Sequence, residues 1–341
     1  MDEDDAGQIQ LVVKKKLSSR RIDKYLVSRL QDFSRSHVQR LIKEEAVKVN
    51  DVAVKTSYEI KLDDVISIDL PTESSDHITP EDIPLNIIFE DEYLMVLNKT
   101  TDTVVHPARG HASGTLVNAL AFHCNNLSSL NGPLRPGIVH RLDRDTSGAI
   151  LVVKDEKVHK HLALQFENRT VDKEYLAVVK GEVELDSDRI DLPIGKDKKD
   201  RKKMAIRHDN GKKAVSIFEV VERYSGFTLV KVFLETGRTH QIRIHMKAIG
   251  HPVVADTAYG NSESCCLEDL LGPVSNKDIH NLAKEAKLCN NATDPIIERQ
   301  ALHAYKIGFI HPVTNEALKF TAEIPEDMCN LITMLRKIKT L

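Results

Sequence analysis

Three short stretches of this chain gather carboxylate, guanidinium, imidazole and phenol groups densely enough to do chemistry. The first is HRLDRDTSG at 140–148, directly ahead of the apolar run Ala149–Val153. Asp143 lies between Arg141 and Arg144, a few residues before a segment that reads as a buried strand. A carboxylate drawn into such a place stays ionised only if cations or hydrogen-bond donors replace its water. So held, it can serve as a base or a nucleophile. The same residues also suit a plain surface turn closed by Asp-Thr-Ser-Gly. The second stretch, LETGRTHQIRIH at 234–245, carries Arg238, His240, Gln241, Arg243 and His245, and GHPVVADTAYG follows at 250–260. His240 and His245 are five apart with no Glu between them, which departs from a helical zinc pair. Arg and Gln side chains so closely set suit phosphate or carboxylate contacts better. The third is Lys173-Glu-Tyr175 at the start of a strand-like run. A tyrosine there is ordinarily packing, and it gains chemical meaning only if Asp143 and Arg238 converge on it. Gly-x-Gly-x-x-Gly, Walker-type and Cys-x-x-Cys patterns are all missing, so neither a nucleotide cofactor nor a metal is expected.

The elements that must position these groups read as two modules. Between 14 and 70 there are 13 Lys+Arg against nine acids. Ile22, Leu26 and Leu30 recur at helical spacing there. Ser34 or Ser36 can cap a second helix that turns Val38, Leu41 and Ile42 toward a core and carries Arg35, Arg40 and Lys43. Short alternating strands follow, so 11–70 reads as a small α/β module behind a disordered lead-in at 1–10. The Pro-, Ser- and acid-rich stretch 71–83 reads as a linker. Beyond it, in 84–341, short strands joined by turns predict an α+β domain with a mixed, mainly antiparallel sheet. Helical patterning marks 116–122, 158–168 and 328–338. The segment 196–213 holds nine Lys+Arg and three Asp, among them Arg201, Lys202 and Lys203. A block of this kind is either a solvated loop or an arm that follows a phosphate backbone. The segment 261–298 is acidic and reads as a surface insertion.

A chain of 341 residues with 48 Lys+Arg and 51 Asp+Glu, 41% apolar and 29% charged, is composed like a globular protein of two domains. No run approaches the roughly 20 apolar residues of a spanning helix, so a membrane protein is not expected. The opening Met-Asp-Glu-Asp-Asp has the wrong charge for a signal or transit peptide. Five irregularly spaced cysteines read as reduced thiols, and the expected location is the cytoplasm.

At the three stretches the chain resembles the RluA-type pseudouridine synthases, which modify uridines in ribosomal RNA, with an N-terminal RNA-binding module like that of ribosomal protein S four. The resemblance runs from about residue 11 to 328. It is carried by SRSHVQRLIKEE, VKVNDVAV, PLNIIFEDEYLMVLNK, RPGIVHRLDRDTSGAILVVKD, KEYLAVVKG, LETGRTHQIRIH, GHPVVADTAYG and RQALHAYKIGFIHP. It implies a sheet split by a central catalytic cleft, no cofactor, and RNA, with ribosomal RNA foremost, as the partner of a chain acting as a monomer. It makes Asp143 the essential catalytic residue and Tyr175 the ring that stacks on the target base. Arg238 becomes the partner that keeps Asp143 ionised and aimed, and Arg141 fills the space left by the extruded nucleotide. Arg35, Arg40 and Lys43, with Arg201, Lys202 and Lys203, would hold the RNA backbone. The chain departs from the family pattern at Thr100-Thr101-Asp102, in place of Pro-Ala-Gly, and at Ala255, Glu45 and Asp51, where glycine is common. Two other readings remain open: a non-catalytic RNA-binding assembly factor, and a metal-dependent phosphodiesterase built on His140, Asp143, His240 and His245.

Overall fold

The computed structural model describes residues 8–14, 21–30, 35–69, 78–106, 113–200, 203–260, 262–271 and 293–339. In the N-terminal module, β1 (Gln8–Val12), α1 (Ile22–Arg29), α2 (Arg35–Lys43), β2 (Val47–Val49), β3 (Val52–Ala53) and β4 (Val65–Asp69) follow in order. The sheet order is β1-β4-β2-β3 and every pair is antiparallel. β1 opens at Gln8 and pairs with β4, so the last residues of the segment read as a disordered lead-in are strand. Ile22, Leu26, Val38, Leu41 and Ile42 are buried with the strand residues Val47, Val49, Ile66 and Ile68 in one core, and Leu30 packs at its edge. α2 begins at Arg35, which puts Ser36 inside its first turn, while Ser34 lies outside the described residues. The wholly buried Asp23 joins the two helices, taking both Arg21 Nε and Nη2 and Gln39 Nε2 at 3.0 Å.

The larger module is built on β5 (Ile87–Glu90), β6 (Leu94–Lys99), α3 (Leu116–His123), β7 (Ser147–Val153), α4 (Glu156–Asn168), β8 (Asp172–Lys180) and β9 (Ser187–Asp191). There follow β10 (Ile194–Lys196), β11 (Met204–Ile206), β12 (Val215–Tyr224), β13 (Phe227–Leu234), α5 (Gln241–Ala248), β14 (Cys265–Cys266) and α6 (Leu267–Leu271). The last elements are β15 (Pro295–Ile297), β16 (Leu302–Ile310), β17 (Ala317–Thr321) and α7 (Glu326–Lys339). Nine strands form one sheet in the order β5-β6-β7-β16-β8-β13-β12-β9, with β17 also on β16. Among the described residues only β7 and β16 pair in parallel, so the expected mixed, mainly antiparallel architecture is the one observed. β7 is buried on both faces, Ile150 and Val152 in one core and Leu151 and Val153 in another. That explains why its sequence is continuously apolar instead of alternating. The described ends of the acidic insertion, 262–271 and 293–298, form the β14–β15 pair and α6.

Two features of the backbone bear on the site. At Gly148 (φ +117°) a side chain would meet the Ala304 carbonyl oxygen at 2.2 Å, so only glycine lets β7 start against β16 immediately behind the Asp143 loop. The positions where the resemblance led glycine to be expected are left-handed here: φ is 60° at Glu45, 64° at Asp51, 60° at Asp102 and 55° at Ala255. Asp tolerates this region better than Glu or Ala. Glu45→Gly and Ala255→Gly are therefore each expected to stabilise the fold by about 1 kcal/mol. Thermal unfolding checks this, and an unchanged or lowered midpoint would contradict it.

Candidate active site

Asp143 sits in a tight turn at the mouth of β7, where the Thr146 amide donates to its carbonyl at 3.1 Å. Buried side chains from distant parts of the chain clamp that turn. Lys99, at the end of β6, donates Nζ to the carbonyls of Thr100, Thr103 and Arg144 at 2.8, 3.0 and 2.8 Å. Burial pushes its pKa down to about 8, against the pull of Asp145. Arg299 donates to the Asp145 carbonyl at 3.2 Å while gripping Asp327 of α7 with two bonds of 2.7 Å. Gln300 Nε2 reaches Thr146 Oγ1 at 3.2 Å. The turn thus has few ways to relax, as a reactive group requires.

The Asp143 carboxylate is one-fifth exposed and opens into a cavity of about 490 Å³. Its cationic partner is Arg243, in the first turn of α5, whose Nη1 donates to Asp143 Oδ2 at 3.1 Å. Arg243 is itself buried and held by Asp256, Nε to Oδ2 at 2.6 Å and Nη2 to Oδ1 at 2.8 Å. Asp256 Oδ1 also accepts the amides of Ala258 and Tyr259, each at 3.0 Å. Burial alone would lower the Arg243 pKa. The bonds and charge of Asp256, followed by the charge of Asp143, outweigh it and leave the pKa raised. A guanidinium shared between two carboxylates makes full use of its rigid fork.

The pairing expected of Arg238 is thus made by Arg243. Arg238 lines the same cavity, but its Nε donates to the Lys213 carbonyl at 3.1 Å and its amide to Gln241 Oε1 at 3.0 Å. The physical reason is the helix start. His240, in the left-handed region, ends the loop, and Gln241 begins α5. Arg238 stays in the loop, and the first helical turn carries Arg243 inward. Asp256 and Lys99 were missed by sequence reasoning, although each had a signal: an ionisable residue at the end of an apolar stretch, Leu94–Leu97 or Val253–Ala255, must find a partner if it is buried.

Tyr175, on β8, is buried and forms a wall of the cavity. Burial first, and then the charge of Asp143, raise its phenol pKa. Arg141 is exposed and also lines the cavity. Asp143, Tyr175, Arg141 and Arg238 therefore meet at one site, with Arg243 added. Of the four residues weighed as a metal set, His140 Nε2 accepts the Leu151 amide at 2.9 Å. His245 uses Nδ1 on Ser216 Oγ at 2.9 Å and Nε2 on the Leu192 carbonyl at 3.0 Å. Only His240 remains beside Asp143, Nε2 to Oδ1 at 3.9 Å.

The outlying basic residues are less concentrated. Arg35, Arg40 and Lys43 all lie on α2. Lys203 is exposed and donates Nζ to the Ala258 carbonyl at 3.2 Å, while Arg201 and Lys202 lie outside the described residues.

Comparison with known proteins identifies the family. The pattern of the RNA pseudouridylate synthase family matches residues 93–248, and that of the S4 domain matches residues 20–66. An RNA pseudouridine synthase of Bacillus subtilis, YlyB, is 44% identical over 331 residues, covering 97% of this chain and 99% of its own. This chain belongs to the RNA pseudouridine synthases. Ribosomal large subunit pseudouridine synthase D of Zymomonas mobilis is 38% identical, covering 96% of this chain and 97% of its own. Among solved structures, human RNA pseudouridylate synthase domain containing 4 shares the fold, with a TM-score of 0.53 at 21% identity. That match covers 74% of this synthase and 93% of the human chain. The synthase is thus an isomerase, with an S4 domain ahead of its catalytic domain. No described helix is long and apolar enough to cross a membrane.

Proposed function

We propose that this synthase converts specific uridines of large-subunit ribosomal RNA to pseudouridine, with Asp143 as the group that opens the glycosidic bond. One observation carries the reading: the Asp143 carboxylate, paired on one oxygen by a buried arginine, faces a cavity walled by Tyr175. The relatives named as large-subunit synthases support the substrate class.

The reaction breaks the bond from ribose carbon 1′ to uracil nitrogen 1, turns the base, and rejoins it through carbon 5. A uridine in a stacked strand must first leave the stack, at roughly a few kcal/mol. The Tyr175 ring offers the expelled base a substitute partner, worth roughly 1–3 kcal/mol. Arg141, at the exposed rim, is placed to fill the gap left behind. Arg238, anchored through Nε, presents its remaining guanidinium donors to a phosphate. Asp143 then either attacks carbon 1′ or removes the proton at carbon 2′ so that a glycal forms. Both routes use an ionised carboxylate, and Arg243 Nη1 donates to Asp143 Oδ2 at 3.1 Å. After the new carbon–carbon bond forms, the proton on carbon 5 is released to solvent.

The test follows from that last step. RNA labelled with tritium at uridine carbon 5 should release label as pseudouridine forms, and mapping ribosomal RNA from cells with and without the gene identifies the sites. An absence of lost sites in the large-subunit RNA would overturn the substrate assignment. Tyr175→Phe keeps the ring, so its rate is expected to stay within roughly tenfold of the parent. A complete loss would give the hydroxyl a chemical role.

A further inference from the structure

Asp143 has two carboxylate oxygens, and Arg243 holds only Oδ2. The other, Oδ1, faces His240 Nε2 at 3.9 Å, too long for a hydrogen bond in the substrate-free protein. The opposite nitrogen of that ring, Nδ1, lies 2.9 Å from Tyr259 Oη. Tyr259 Oη in turn accepts the backbone N–H of Met204 on β11 at 3.1 Å.

One proton arrangement satisfies all of these contacts. The phenol oxygen accepts from the Met204 N–H, and its own proton goes to His240 Nδ1, the acceptor 2.9 Å away. A neutral imidazole that accepts at Nδ1 carries its proton on Nε2, the atom aimed at Asp143. Burial keeps His240 in the neutral form. Asp143 and Asp256 pull its pKa up and Arg243 and Arg141 push it down, and the balance remains lowered. Tyr259 is fixed from a second side, since the Arg243 guanidinium lies over its ring at 5.1 Å. His240 also holds a left-handed backbone (φ 56°) that a histidine adopts at a cost. Such strain persists where the surroundings over-determine it, commonly beside a reacting group.

We infer that His240 is a positioning residue for Asp143: oriented by Tyr259, it presents Nε2–H to the carboxylate oxygen that Arg243 leaves free and closes that hydrogen bond when the substrate fills the cavity. Oδ1 is then the oxygen directed at the ribose, and the relay from β11 through Tyr259 sets its orientation. The inference rests on the proposed reaction for its kinetic consequence but not for its resting-state geometry, and the two parts are tested separately.

In the substrate-free protein, the nitrogen-15 shifts and long-range proton couplings of the His240 ring report its tautomer. Nε2–H is expected in the parent, and an Nδ1–H ring would overturn the inference whatever the activity. In the tritium-release assay, with an unmodified large-subunit ribosomal RNA transcript as probe, His240→Leu is expected to lower kcat. The expected loss is about ten- to hundredfold, as for one hydrogen bond to a charged group, with KM nearly unchanged. His240→Gln, whose amide reaches the Nε2 position, should recover most of that loss. Tyr259→Phe keeps the ring under Arg243 and should lower kcat without further loss when combined with His240→Leu. An equal loss in the Leu and Gln variants, or a change confined to KM, would mean that His240 only packs. A parent enzyme that releases no tritium while its tautomer is Nε2–H would instead count against the proposed substrate and leave the relay standing.

Discussion

Asp143→Asn is expected to bind RNA as the parent does and to release tritium at a rate lower by roughly 10²–10⁴-fold, the usual share of a positioned proton-transfer group. If the covalent route operates, release falls to background. The substitution is nearly isosteric, and the amide oxygen can still accept Arg243 Nη1. The Arg243 charge also remains balanced by the Asp256 carboxylate, which accepts two bonds from it, so the buried cation is not stranded. Folding and the cavity should therefore survive, and only the ionised oxygens are lost. Thermal unfolding together with a filter-binding or anisotropy assay would show the variant intact. Measurable pseudouridine formation by such an intact variant, near the parent rate, would remove Asp143 from the chemistry.

Arg243→Leu should show the opposite pattern, a loss of stability together with a loss of activity. Asp256 is wholly buried, and without the guanidinium it keeps only the amides of Ala258 and Tyr259. An uncompensated buried carboxylate of this kind costs about 3–5 kcal/mol, visible as a lowered thermal midpoint. Arg243→Leu combined with Asp256→Asn removes the stranded charge and should regain part of that stability, though not the activity, because Asp143 still lacks its partner. Arg243→Lys retains a charge but not the fork that serves both carboxylates, so intermediate stability with poor turnover is expected. A single Arg243→Leu variant that unfolds like the parent would mean that the Asp143–Arg243–Asp256 array contributes nothing to the fold.

These two outcomes separate what was legible along the chain from what was not. Asp143 and Tyr175 could be found by reading, Asp143 because it stands in a dense cluster of charged residues ahead of an apolar strand, and Tyr175 only because its segment resembles a family pattern. The strands around them could be found as well: Ala149–Val153 is too apolar for anything but a buried strand, and the segments from Tyr175 and Thr228 carry strand patterning. The choice between Arg238 and Arg243 could not be read. Both lie within one stretch of charged residues, and Asp143 is a hundred positions away. Which arginine reaches it depends on where α5 begins, on the left-handed turn at His240, and on the carboxylate that waits at Asp256.

Composition, apolar periodicity and turn signals by themselves determined two modules and a mainly antiparallel sheet, and they marked the Asp143 stretch as chemically unusual; the role proposed for Asp143 comes from the resemblance to a family pattern. The modules and the sheet rest on local properties, set by how neighbouring residues share a strand, a helix face or a turn. Only the tertiary structure decided which cation neutralises Asp143, that Lys99 and Arg299 lie buried beneath its turn, and that His240 stands beside its free oxygen. The reason is physical contact: a hydrogen bond to a carboxylate needs a donor within about 3 Å, and the attraction of a charge grows as the distance shrinks. The groups that control a buried carboxylate are those brought near by folding, whatever their separation along the chain.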